Sequence, residues 1–149
     1  RGDRAAQERI YEAYLKNTRH INNWDLVDLS AEKIVGAYLY RGYADLSVLS
    51  RLARSHDLWE RRIAILATFH YIKAGKAGPT LTIAKLLLRD THDLIHKAVG
   101  WMLREVGKCI GIETEEAFLK KHHAQMPRTM LRYAIERFPE HKRQRYLRT

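Results

Sequence analysis

Apolar residues along this chain recur at three- and four-residue intervals, and nowhere do they alternate with polar ones as a half-buried strand requires. Ile95, Val99, Met102 and Val106 form one such seam, and Leu58, Ile65, Phe69 and Ile72 form another. The pattern predicts helices over about 4–16, 23–40, 44–54, 57–73, 80–89, 92–108, 114–124, 127–137 and 140–147. Pro79 and Pro127 fall where helices begin, and Pro139 breaks the pattern near the end. The connections between these segments are short, which favours antiparallel helix pairs. No apolar run reaches the roughly 18 residues needed to span a bilayer.

A faint repeat runs through the second half. Arg61-Arg62-Ile63-Ala64-Ile65-Leu66 resembles His96-Lys97-Ala98-Val99-Gly100-Trp101, 35 positions on, and Pro127-Arg128-Thr129-Met130-Leu131-Arg132 opens a third helix of the kind. Each is preceded by a shorter helix. Helix pairs at this period predict an all-α fold, a HEAT-like α-solenoid, against the plainer alternative of an irregular bundle. The 149 residues suffice for one domain with a core of its own. The chain starts at Arg1 rather than at a Met, and we expect it to be part of a longer protein. The single Cys109 cannot form an internal disulfide, which fits a reducing, cytoplasmic setting.

Charge sharpens the picture. Residues 1–50 hold seven basic and seven acidic side chains; residues 51–149 hold 20 basic and 10 acidic, and so carry the entire net charge of +10. So basic a surface predicts a polyanionic partner, most simply nucleic acid, and argues against the protein-binding use common among helical solenoids.

Candidate chemistry lies at four places. In Asn22-Asn23-Trp24-Asp25-Leu26-Val27-Asp28, Trp24 and Asp28 share one helical face. An indole beside a carboxylate suits something planar and cationic, or something that becomes cationic as it reacts. Asp25 is turned about 100° away and belongs with the helix dipole in the first turn. Arg62 interrupts an apolar stripe, so it needs an anion: a phosphate or an internal carboxylate such as Asp28. Arg61 beside it is expected to face solvent. Lys97, Trp101, Arg104 and Lys108 make a stripe distinct from the core seam of their helix. There the indole either packs on a sugar or base between phosphate-binding cations, or is half-buried under their stems. Arg128 and Arg132 repeat the i, i+4 spacing on a later helix and extend the same face, or are simply solvated. His92 and His96 have the spacing of a zinc helix, but no third ligand is evident and no metal is expected. His122 and His123 cannot chelate from one helical face. No Gly-rich phosphate loop, serine-nucleophile elbow or Cys-X-X-Cys occurs.

Three of these segments together resemble one family. Asn23-Trp24-Asp25-Leu26-Val27-Asp28, Leu58-Trp59-Glu60-Arg61-Arg62-Ile63-Ala64-Ile65-Leu66 and Lys97-Ala98-Val99-Gly100-Trp101-Met102-Leu103-Arg104-Glu105 look like the signature segments of the bacterial DNA alkylation repair family, the AlkD-like glycosylases. Met126-Pro127-Arg128-Thr129-Met130-Leu131-Arg132 is similar to that family's C-terminal repeat. The resemblance implies a HEAT-like solenoid that holds duplex DNA on its concave face. It implies a DNA glycosylase for N3- and N7-alkylated purines that needs no cofactor, no obligate protein partner and no membrane. It implies that further helical repeats precede this segment. Trp24, Asp28, Arg62 and Trp101 match the family's functional Trp, Asp, Arg and Trp. The basic residues singled out by spacing, Lys97, Arg104, Arg128 and Arg132, are expected as DNA contacts together with Arg61. A non-catalytic HEAT-like module that binds damaged or branched DNA is the competing reading.

Overall fold

The computed structural model describes residues 3–21 and 23–148; the side chains of Trp24 and Leu29 lie outside the described set. Among the described residues every regular element is helical. The α-helices are α1 (Arg4–Lys16), α2 (Trp24–Ser30), α3 (Ala37–Tyr40), α4 (Ser47–Ala53), α5 (Leu58–Ala67), α6 (Phe69–Lys73), α7 (Gly78–Leu86), α8 (Asp93–Cys109), α9 (Ile112–His122), α10 (Arg128–Ala134) and α11 (Glu140–Leu147).

Local chemistry sets the starts of several helices. Asp3, Asn23 and Asp57 each place a side-chain oxygen on a backbone N–H of the first turn, at Ala6, Leu26 and Trp59. His92 does the same for Leu94 through its ring nitrogen. Pro79 sits in the first turn of α7, where its missing N–H costs nothing. The segment expected as one helix over 57–73 is divided at Thr68, a fully buried residue whose hydroxyl donates back to the Ile65 carbonyl at 2.6 Å.

The helix expected over 23–40 is also not uniform. Between α2 and α3 the chain is π-wound over Ala31–Gly36. Val27, Ala31 and Val35, spaced by four, are all fully buried. Ordinary helical winding would let such a series drift around the axis, and the wider π turn holds it on one face. Gly36 closes this segment directly against the Ala67 carbonyl at the end of α5, where any side chain would collide.

α2, α5, α8 and α10 touch in that order, so a row of helices carries the segments singled out above. Behind them α4 packs on α5 and α7, α7 on α8, and α9 on α8. One cluster of buried side chains runs from Tyr11 to Tyr146 through all of these contacts. Gly100 lets α10 close on α8, because a Cβ there would lie 2.5 Å from both the Met130 carbonyl and the Tyr133 Cβ.

The core contains one group that the apolar pattern does not anticipate. Glu115 in α9 is 1% exposed, and a side chain on Gly107 of α8 would strike its carboxyl. Burial, and secondarily the neighbouring Glu116, pushes its pKa from the ordinary 4.5 up to about 8, with Arg104 pulling the other way. In the unfolded chain Glu115 ionises near pH 4.5, whereas in the fold it holds its proton until about pH 8. The folded state therefore binds more protons across that window, and stability falls as pH rises through it. The penalty is on the order of 5 kcal/mol at most. Glu115→Gln is expected to match the wild type near pH 4 and to exceed its stability by a few kcal/mol at pH 8.5, read by urea unfolding at both pH values. Parallel pH dependences for the two proteins would refute this.

Candidate functional site

Asp28, Arg62, Leu94, Lys97, Trp101, Arg104 and Tyr133 line one cleft of about 390 Å³. It is built where α2, α5, α8 and α10 meet, so residues far apart in the chain converge because their helices pack side by side.

At its floor is an ion pair. Arg62 donates through Nε to Asp28 Oδ1 at 3.0 Å and through Nη2 to Oδ2 at 3.1 Å, the planar fork-on-fork arrangement. Its remaining terminal nitrogen, Nη1, donates to the Leu94 carbonyl at the start of α8. The Arg62 side chain is 7% exposed and that of Asp28 20%. Of the two partners open to Arg62 from sequence, the internal carboxylate is the one it has. The other partner read from the sequence, a phosphate, is not the one that this guanidinium, with three acceptors in place, is built around. Asp28 is reached by a helix whose start is fixed by Asn23, with Asp25 exposed in the first turn as expected. Trp24 opens the same helix, but its side chain lies outside the described residues.

The wall comes from α8. Trp101 is half-buried and meets Phe69 edge to face, with ring centroids 5.9 Å apart. It combines both sequence readings: an indole supported by core packing yet open to the cleft between two cations. Lys97 pairs with Asp93 at 3.1 Å, a contact that holds the ammonium pKa above its usual range. Arg104 reaches across to Glu136 beyond the end of α10 and lies over the Tyr133 ring, 6.0 Å from its centroid.

Arg61 departs from expectation. Rather than facing solvent, it is 18% exposed, donates to Asp90 at 2.7 Å, and bonds the Ser55 and His56 carbonyls. It staples the loop before α5 to the loop before α8. Arg128 and Arg132 are exposed on α10, but neither lines the cleft; α10 contributes Tyr133 instead. His92 caps α8 and the His96 ring bonds the Asp90 carbonyl, so both have structural partners. No group of three or more potential metal ligands occurs among the described residues.

Sequence reasoning missed Tyr133, Phe69 and the carboxylates Asp93 and Glu136. Gly100 within the Trp101 segment was the available signal for Tyr133, since a glycine in mid-helix marks close approach by another element. The assembled cleft offers a fixed carboxylate beside an aromatic face, with cations at the rim. That arrangement can hold a phosphate backbone while presenting negative charge to a cationic centre between the phosphates.

A family model described as DNA alkylation repair enzyme matches residues 1–138. No curated protein matches the chain. No helix among the described residues is long and apolar enough to cross a membrane.

Removing Arg62 leaves a largely buried carboxylate without its counter-charge. Arg62→Ala is expected to destabilise the fold by about 3–5 kcal/mol in urea unfolding. Arg62→Lys should recover only part of this, since an ammonium cannot span both oxygens and the Leu94 carbonyl. A loss below about 1 kcal/mol for Arg62→Ala would show that the pair is not a structural tie.

Proposed function

Because the chain belongs to the DNA alkylation repair enzyme family, we propose that it is a monofunctional DNA glycosylase, built as a HEAT-like solenoid, that excises N3- and N7-alkylated purines from duplex DNA. The observation that carries this reading is the position of Asp28: held in a fixed plane by Arg62, in a cleft shared with Trp101 and rimmed by Lys97 and Arg104.

An N3- or N7-alkylpurine is already cationic. When its N-glycosidic bond breaks, the bonding pair moves onto the base, which leaves neutral and needs no proton. The deoxyribose is left oxocarbenium-like, and Asp28 stabilises that charge across the cleft. A water then adds to the sugar C1′ and loses its proton to Asp28 or to solvent, and an abasic site remains. Trp101 packs against the sugar, with Trp24 as its partner from α2. Lys97, Arg104, Arg128 and Arg132 take the backbone phosphates of both damaged and undamaged duplex. Arg62 orients Asp28 rather than gripping a phosphate. Arg61, tied to Asp90, leaves the DNA-contacting set. The reaction needs no metal or organic cofactor, and the enzyme works in the cytoplasm.

Asp28→Asn keeps the shape of the side chain and removes its charge. Single-turnover release of 7-methylguanine from methylated duplex should slow by on the order of 10²-fold or more, with DNA affinity little changed or raised. Asp25→Asn, altering an exposed carboxylate of the first turn, should do far less. Folding of each variant is checked by circular dichroism, since Asp28 also anchors Arg62. Equal rates for the wild type and Asp28→Asn would take Asp28 out of the mechanism. Failure of all three to release base would favour the module that binds damaged or branched DNA without excision.

A further inference from the structure

The arginines around the cleft are not held alike. Arg62 is committed to three acceptors on two elements, and Arg61 to a carboxylate, Asp90, that is only 7% exposed, together with two carbonyls. Arg104 has a single hydrogen-bonding partner, Glu136, whose side chain is 64% exposed. Its Nε is buried without a partner, and its guanidinium rests over Tyr133. One terminal nitrogen of a five-donor fork is satisfied, by a carboxylate that stands in water.

We infer that Glu136 is a resting counter-ion that a DNA phosphate displaces from Arg104, and that it thereby sets how weakly the cleft holds undamaged duplex. The inference rests on the reading of this cleft as a DNA site. A pair whose carboxylate stands in water gains little over that carboxylate's own hydration, whereas a phosphate can engage the arginine fork with two oxygens. The exchange is therefore downhill for a phosphate at the right place, and opposed by Glu136 for one that approaches poorly. The Tyr133 ring keeps the guanidinium in place while its partner changes. Asp93 pairs with Lys97 in a similar way, but it sits in the first turn of α8, where the helix dipole already accounts for an acidic residue. Glu136 has no such reason to be there.

The test measures dissociation constants on undamaged and methylated duplexes across a salt series. The proteins are wild type, Glu136→Gln, Arg104→Ala, the double variant, and Glu8→Gln as a control for net charge on an exposed carboxylate of α1. Glu136→Gln should bind undamaged duplex on the order of 3- to 10-fold more tightly than Glu8→Gln does. Its salt dependence should steepen by up to about one counter-ion. Its discrimination between methylated and undamaged duplex should narrow. In the Arg104→Ala background the substitution should gain no more than Glu8→Gln. Equal affinities for Glu136→Gln and Glu8→Gln, or a gain that survives the loss of Arg104, would overturn the inference while leaving the DNA site intact. A wild type that binds no duplex, or binds indifferently to salt, would overturn both together.

Discussion

The ion pair between Asp28 and Arg62 is the constraint on which the rest of the cleft depends. A guanidinium 7% exposed must be fully satisfied, and here its acceptors come from two further elements: both oxygens of Asp28 on α2 and the Leu94 carbonyl at the start of α8. Satisfying one buried charge therefore fixes three helices against each other. It places the α2 carboxylate and the α8 stripe of Lys97, Trp101 and Arg104 in the same cavity. The π turn over Ala31–Gly36 and the bare backbone of Gly36 serve the same end, by letting the continuation of α2 lie against the end of α5.

The pair also limits what Asp28 can do. A carboxylate offers about four lone-pair directions, and Arg62 takes two of them. The field beyond the pair is that of a dipole rather than of a bare anion, weaker but fixed in direction, and a fixed dipole needs no reorganisation when charge develops before it. Replacing Asp28 by Asn would remove the negative end and leave the guanidinium facing the sugar. The penalty on a developing cation is then larger than the loss of one attraction.

Much of this was legible in the sequence, and for a definable reason. Helical periodicity, capping residues and Pro79 report on contacts within a few residues, and the helices they predict are those observed, apart from ends and the interruptions at Ala31–Gly36 and Thr68. Arg62 and Trp101 could be singled out because each breaks its own helix pattern, and Asp28 because its spacing puts it on one face with Trp24. A charged residue on an apolar stripe is visible without knowing what it meets. The misjudgements concern what meets what. Arg61 points inward because Asp90, twenty-nine positions on, lies within reach. Tyr133 and Glu136 enter the site only through the close packing of α10 on α8 at Gly100. Glu115, which the apolar pattern leaves unmarked, is buried where Gly107 leaves room for it. None of these follows from the period of a single helix.

The central claim is that Asp28 presents negative charge to a sugar that becomes cationic. Its most direct test is the affinity for duplex DNA carrying a cationic azasugar in place of the damaged nucleotide, compared with the same duplex carrying a neutral tetrahydrofuran abasic analogue. The account predicts that the wild type prefers the cationic duplex by on the order of 10-fold or more, and that Asp28→Asn loses the preference while retaining its affinity for the neutral one. Equal binding of the two duplexes by the wild type, or a preference that Asp28→Asn keeps, would contradict it.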